Sequence, residues 1–364
     1  MRTLFINPGG IGDQLLLLPT IKLLKEKFPQ CEIDLITEPR STCIGELTGL
    51  YRRIREFDFK EKNPNIFKLR ELVRKRPYKY LITTGSSYKA NIATSLSDAQ
   101  IKIGFYKGIF SNLFLTYAVK LNTKQYTANM FSELLLPIIP ELKDQIHSRD
   151  LIPEIKLNSH SIGWAKETLN PKIKERFYAK KIFIHPGVSK LSIQKNILKG
   201  WSSKNWAILI EKLLEDQNNT VILVGGRDDI ETVAEIHKKL SFFARPRNFF
   251  DLSSLEVSIE NLAALISFSD LLVCVDSAPM HIAVSLGKKT VAFFGPTNPK
   301  KLLPNDPRFT AVHVDNLECR PCLFDTRKES CSTPKCLEVT PEMMLEAIRK
   351  QLGVEVRSSE IQTL

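Results

Sequence analysis

No run in the 364-residue sequence reaches the roughly 20 apolar residues that a membrane-spanning helix needs. The first residues also lack the charged and apolar regions of a signal peptide. A cytoplasmic protein is expected, touching the cytoplasmic face of the inner membrane peripherally at most. Negative charge is also in short supply: 40 Asp/Glu stand against 52 Lys/Arg, leaving a formal charge of +12. That excess points to an anionic partner. Residues 1–150 hold 23 Lys/Arg against 15 Asp/Glu, so the first half carries most of it. No zinc-finger, RNP or recognition-helix pattern accompanies the charge, so nucleic acid is not expected as a partner.

What is present is two strand-turn-helix signatures. Arg2 to Asn7 reads as a strand running into Pro8-Gly9-Gly10-Ile11-Gly12-Asp13 and then an apolar segment. Glycines after a first strand let the backbone approach a ligand closely. Pro19 is expected to kink the helix after one turn, with a longer helix then running to Phe28. Glu32 to Thr37 is the second strand, and Glu38 at its end could imitate the acidic residue that holds an adenosine ribose. A dinucleotide fingerprint, however, needs Gly or Ala three residues after Gly12, and Leu15 stands there. A nicotinamide-dependent oxidoreductase is therefore an alternative that the spacing disfavours. Asp13 at the turn's mouth can act as a base or simply cap the helix.

The second signature is Leu271 to Val275, a short apolar run suited to a parallel sheet buried on both faces, followed by Asp276-Ser277-Ala278-Pro279-Met280-His281. Ser277 is a plausible N-cap, Pro279 fits a first turn, and Gly287 can close the helix in the left-handed conformation. The turn offers backbone N–H groups at the carboxyl edge of a sheet, a ready site for phosphate. Asp276 beside them would repel a phosphate and suits a hydroxyl-rich group attached to one. The strand Thr290 to Phe294 and Gly295-Pro296-Thr297 follow.

Asp276-Ser277-Ala278-Pro279-Met280-His281 with Phe294-Gly295-Pro296-Thr297 resembles the signature of the heptosyltransferases of lipopolysaccharide core synthesis, glycosyltransferase family 9. Many members have Gly where Ala278 stands. The resemblance implies an α/β fold of the GT-B architecture, two Rossmann-like domains whose parallel sheets face across a cleft. It implies inverting, metal-independent transfer of a sugar, expected to be heptose, from a nucleotide-diphosphate donor such as ADP-heptose to a lipopolysaccharide core acceptor. No cofactor is implied, and the chain has no Asp-x-Asp, the pattern often used by metal-dependent transferases. By the same resemblance Asp13 is the catalytic base, beside Gly9, Gly10 and Gly12. Lys199 of Lys199-Gly200-Trp201 reaches the donor diphosphate, a role suited to a compact charge. Asp229, after Gly225-Gly226, matches the acidic residue that accepts from the ribose, with Asp228 one residue away leaving the register open. Asp276, Ser277, Ala278 and His281 complete the donor site, although His281 also reads as a packed core residue and His185 as a structural strand end. The segment Tyr126 to Met130 lacks a histidine that the family pattern leads one to expect.

Domains are expected at 1–177 for the acceptor and 178–352 for the donor, with residues 158–177 as a helical connector and 353–364 as a disordered tail. A final helix from Thr340 to about Leu352 is expected to pack back on the first domain. Ser86 and Ser87 could line an acceptor pocket or cap the helix from Tyr88, the cap being favoured. Residues 51–79, with eleven Lys/Arg interleaved with Phe57, Phe59, Phe67, Leu69 and Leu72, read as a solvated helix face or as a surface docking on anionic lipid. A non-catalytic protein binding anionic lipid or nucleic acid would share that feature. Cys319, Cys322, Cys331 and Cys336 form C-x2-C-x8-C-x4-C, compatible with a structural zinc; disulfides are not expected in a cytoplasmic protein.

Overall fold

The computed structural model describes residues 1–354 apart from 86, 107–112, 174–175, 177, 195–196, 242–245, 323–330 and 332–333. The chain separates into two compact units, Met1–Lys156 and Leu157–Leu364.

In the first unit β1 (Arg2–Asn7), β2 (Glu32–Thr37), β3 (Arg53–Glu56), β4 (Tyr80–Thr83), β5 (Ile101–Tyr106) and β6 (Tyr117–Lys120) form a parallel sheet in the order β3-β2-β1-β4-β5-β6. The direction of winding reverses between β1 and β4, so the crevice at such a sheet's switch point lies beyond Asn7 and Thr83. Helix α1 (Ile11–Lys27) joins β1 to β2. It is apolar around most of its circumference, and everything from Gln14 to Ile21 is buried, as expected of a helix enclosed on several sides. The helix is continuous through Pro19, the position at which the sequence leads one to expect a kink.

The basic stretch from residue 51 is not one helix. Arg53–Glu56 forms edge strand β3, and only Ile66–Arg74 is helical (α2). Phe57 and Phe59 turn into the core beneath α2, edge to face at 4.9 Å, beside Leu69 and Val73. Several of the cations are taken up in ion pairs: Arg55 and Arg76 lie on buried Asp34 at 3.5 and 3.7 Å, and Arg2, Arg52 and Arg76 converge on Glu32.

In the second unit β7 (Lys180–His185), β8 (Asn219–Leu223), β9 (Phe249–Asp251), β10 (Leu271–Val275), β11 (Thr290–Phe293) and β12 (Phe309–Val312) form another parallel sheet, in the order β12-β11-β10-β7-β8-β9. Its switch point lies between β7 and β10, where His185 pairs with Cys274. Each half is thus Rossmann-like, in keeping with the expected fold class.

The units divide after Lys156, earlier than the expected boundary near 178. The helix read as a connector, α3 (Ser159–Ile173), packs on α4 (Ile259–Ser267) and so belongs to the second unit. The last helix, α5 (Pro341–Leu352), packs within this unit. Met344 and Ile348 enter the core formed by β10, β11 and the helix Ser203–Glu215. Residues 355–364 of the expected tail lie outside the described residues.

Candidate active site

At the first switch point the turn after β1 is held by polar side chains that nothing in the sequence pattern singled out. Asn7 is buried; its amide donates to the Asp13 carbonyl at 3.1 Å, and its Oδ1 accepts from Gly9 N and from the Thr84 hydroxyl at 3.2 and 2.9 Å. Gln14 donates to the Asn7 carbonyl at 3.1 Å and to Thr37. The Asp13 carboxylate, half-buried, accepts from the Gly10 amide at 2.7 Å. The capping role is therefore real, and it occupies Oδ2. A side chain on Gly9 would place its Cβ 2.3 Å from the Cβ of Asp13, so only glycine admits this approach. Gly12 sits half-buried in the first turn of α1. Exposed Arg40 brings Nη2 to within 3.2 Å of where a Cβ on Gly10 would stand. Sequence reasoning missed Arg40; its place just beyond the end of β2 was the available signal.

Glu38, weighed as a ribose ligand, is buried and accepts from the Phe59 amide at 3.0 Å. Burial pushes its carboxyl up, against the pull of Lys60. It fastens the β3 exit loop, so the dinucleotide alternative loses its acidic residue. Ser87 caps its helix by accepting from Ala90 N at 3.3 Å, while Ser86 lies outside the described residues.

At the second switch point the sequence-predicted residues come together. Asp276 is 3% exposed, and its Oδ2 receives Lys199 Nζ at 2.8 Å and the Thr297 hydroxyl at 2.6 Å. Burial alone would raise the Asp276 carboxyl; the charge and hydrogen bond of Lys199, the Thr297 hydrogen bond and His281 outweigh it and hold the group below its ordinary value. Asp276 is therefore the partner of Lys199, a contact the sequence did not reveal. Lys199 is set by its neighbour Trp201, which is buried against Phe293 and Trp206 and donates Nε1–H to the Val339 carbonyl at 2.8 Å.

Ser277 occupies the N-cap position of the helix Ala278–Ser285 but does not cap it; its hydroxyl lies 3.4 Å from the Val275 carbonyl. The Ser277 side chain thus leaves the amides opening this helix without a cap, and Pro279 has no amide N–H. Ala278 stands at the first helical position, and His281, 5% exposed, is packed within the next turn. Gly287 ends the element at φ +67°, as expected.

Asp229, like Asp276, is buried, and its carboxylate is engaged within the protein. Its Oδ2 accepts from the Gly226 amide at 2.7 Å and lies 3.3 Å from His185 Nε2, and a Cβ on Gly187 would fall 1.6 Å from its Oδ1. Burial lowers the His185 imidazole, against the pull of Asp229, and His185 Nδ1 has no hydrogen-bond partner. The neighbouring Asp228 is exposed and accepts from Lys190 N at 3.0 Å. Of the four C-terminal cysteines, Cys336 is buried, Cys322 half-buried and the other two exposed. Among the described residues no group of three or more His, Cys, Asp or Glu side chains is disposed to hold a metal ion. No described helix is long and apolar enough to cross a membrane.

The chain is 26% identical over 365 residues to lipooligosaccharide heptosyltransferase 2 of Campylobacter jejuni subsp. jejuni serotype O:6, covering 95% of this chain and 98% of that one. Its fold matches that of the family 9 glycosyl transferase of Veillonella parvula, with a TM-score of 0.77, 19% identity and coverage of 96% and 97%. It matches E. coli ADP-heptose lps heptosyltransferase II with a TM-score of 0.74, 18% identity and coverage of 97% and 98%. These likenesses identify the two Rossmann-like units as a GT-B architecture. Residues 66–333 match glycosyltransferase family 9 (heptosyltransferase), and the chain, a glycosyltransferase, belongs to that family.

Proposed function

We propose that this enzyme transfers heptose from ADP-heptose to a lipopolysaccharide core acceptor, with inversion at the anomeric carbon and without a metal ion. The observation that carries the reading is the second switch point. There Lys199 and the uncapped N-terminus of the helix Ala278–Ser285 supply positive charge, and the buried Asp276 carboxylate stands next to both. A diphosphate suits the lysine and the amides, which neutralise charge as the nucleotide leaves. Asp276 suits the sugar hydroxyls. Asp229 serves the nucleotide end by fixing the turns at Gly187 and Gly226. The names of the relatives, an ADP-heptose lps heptosyltransferase and a lipooligosaccharide heptosyltransferase, support this choice of donor and acceptor.

In the first unit Asp13 takes the proton of the acceptor hydroxyl as that oxygen attacks the anomeric carbon. The Gly10 amide fixes one carboxylate oxygen, and Arg40 offers charge for a phosphorylated acceptor. A single displacement of this kind inverts the anomeric centre. Contact with an anionic membrane surface is assigned to the start of α2, where Phe67 is 85% exposed beside exposed Ile66, Lys68 and Arg70. The test is release of ADP from ADP-heptose in the presence of heptose-deficient lipopolysaccharide core, with the product anomer read by NMR. Absence of ADP release with this donor and every core acceptor tried, or a product of retained configuration, contradicts the reading.

A further inference from the structure

Thr297 has no assigned role in transfer, yet it is fully buried and spends its hydroxyl on the carboxylate that sits beside the donor site. Its Oγ1 donates to Asp276 Oδ2 at 2.6 Å, the same oxygen that Lys199 Nζ reaches at 2.8 Å. Two donors on one oxygen look redundant taken by themselves. They cease to be redundant when a diphosphate arrives. Lysine is a compact charge on a flexible four-carbon stem, and a diphosphate competes for it. A threonine hydroxyl carries no charge for the diphosphate to attract, and its branched Cβ restricts χ1. It also follows β11, whose Phe293 carbonyl accepts from the Asp276 amide at 3.0 Å, so the carboxylate and its hydroxyl donor are carried by adjoining, paired strands.

We infer that Thr297 is a positioning residue that keeps the Asp276 carboxylate in place, with Oδ1 left for sugar hydroxyls, while Lys199 is drawn onto the donor diphosphate. The inference rests on the transferase reading above. It separates two ligands that share a nucleotide. ADP needs Lys199 and the helix N-terminus, whereas ADP-heptose also needs an oriented Asp276.

The experiment compares Thr297→Val and Thr297→Ser with the wild-type enzyme, measuring melting temperature, ADP affinity by calorimetry, and kcat/KM for ADP-heptose. Removing the hydroxyl is expected to lower kcat/KM by about 10- to 100-fold, the range for a hydrogen bond to a charged group, while ADP affinity stays within about 3-fold. Thr297→Ser, which retains the hydroxyl, is expected to stay within about 3-fold of wild type in both. If the valine variant does not fold, Thr297→Ala against Thr297→Ser carries the same comparison, since both lack the methyl and only one lacks the hydroxyl. A valine or alanine variant with wild-type kcat/KM overturns the inference alone. So does a parallel fall of melting temperature, ADP affinity and kcat/KM in the serine and hydroxyl-free variants, which would mark a packing role. A wild-type protein that neither binds ADP nor turns over ADP-heptose overturns both the inference and the reading beneath it.

Discussion

The two switch points hold the same kind of group in opposite settings. Asp13 is half-buried, and its carboxylate accepts from one backbone amide, that of Gly10. Asp276 is almost wholly buried and receives a lysine ammonium and a threonine hydroxyl on one oxygen. A carboxylate held by an ammonium is a poor proton acceptor, because protonation would forfeit the ion pair. One tied to a neutral amide at the surface keeps its second oxygen for a proton. On the proposed reading it is environment, not residue type, that gives base chemistry to the first unit and charge organisation to the second.

Breaking the first setting should have the largest effect on rate. Asp13→Asn keeps an oxygen to accept from the Gly10 amide but cannot take a proton, so sugar transfer is expected to fall about 10²- to 10⁴-fold with the melting temperature unchanged. A residual rate near wild type would reduce Asp13 to a cap. Breaking the second setting should be felt in stability as well. Lys199→Met leaves the Asp276 charge buried without its ammonium, at a cost of about 3 kcal/mol, seen as a fall of several degrees in the second unit's melting transition. A variant as stable as wild type would mean that the ion pair does not hold this site together.

A smaller effect concerns His185 at the end of β7 in the second unit. Burial holds His185 below its ordinary pKa, so the folded form prefers the neutral ring. The stability this contributes is fully present above the unfolded pKa of about 6.5 and is lost as pH falls from there through the folded value. Thermal melts from about pH 8 down to about pH 5 should show this decline in wild type and a flatter profile in His185→Gln. Identical slopes would place the acid sensitivity elsewhere. The smallest change is expected outside both sites. Phe67→Ser should weaken sedimentation with vesicles containing anionic lipid by several-fold and leave transfer to a soluble acceptor unchanged, as fits an exposed side chain. Equal sedimentation would remove α2 from the membrane assignment.

The sequence carried the switch-point strands well, because β1, β2 and β10 are apolar runs closed by turn residues, a local signal. Strand β3 was hidden. Arg53, Arg55 and Glu56 look solvated in a one-dimensional pattern, yet Arg55 lies on Asp34 of the neighbouring strand. Helix α1 carries Pro19 inside it, where burial of the helix offsets the hydrogen bond that proline cannot make. At the candidate sites, local motifs single out Asp13, Lys199 and Asp276 as candidates, whereas the contacts that couple them to other residues do not show in the motifs. Lys199 meets Asp276 across 77 positions, Thr84 meets Asn7 across 77, and Trp201 reaches Val339 across 138. Asp229 shows the limit from the other side: its position after two glycines suggested a ligand, while its burial against His185 and Gly187 directs it inward.

The division of labour between the two switch points is tested most directly by titrating ADP into Asp13→Asn and Lys199→Met in the same buffer. The expected result is wild-type affinity for Asp13→Asn and at least about 10-fold weaker binding for Lys199→Met, the loss of one charge-assisted contact to phosphate. Weakened ADP binding by Asp13→Asn, or unchanged binding by Lys199→Met, would contradict it.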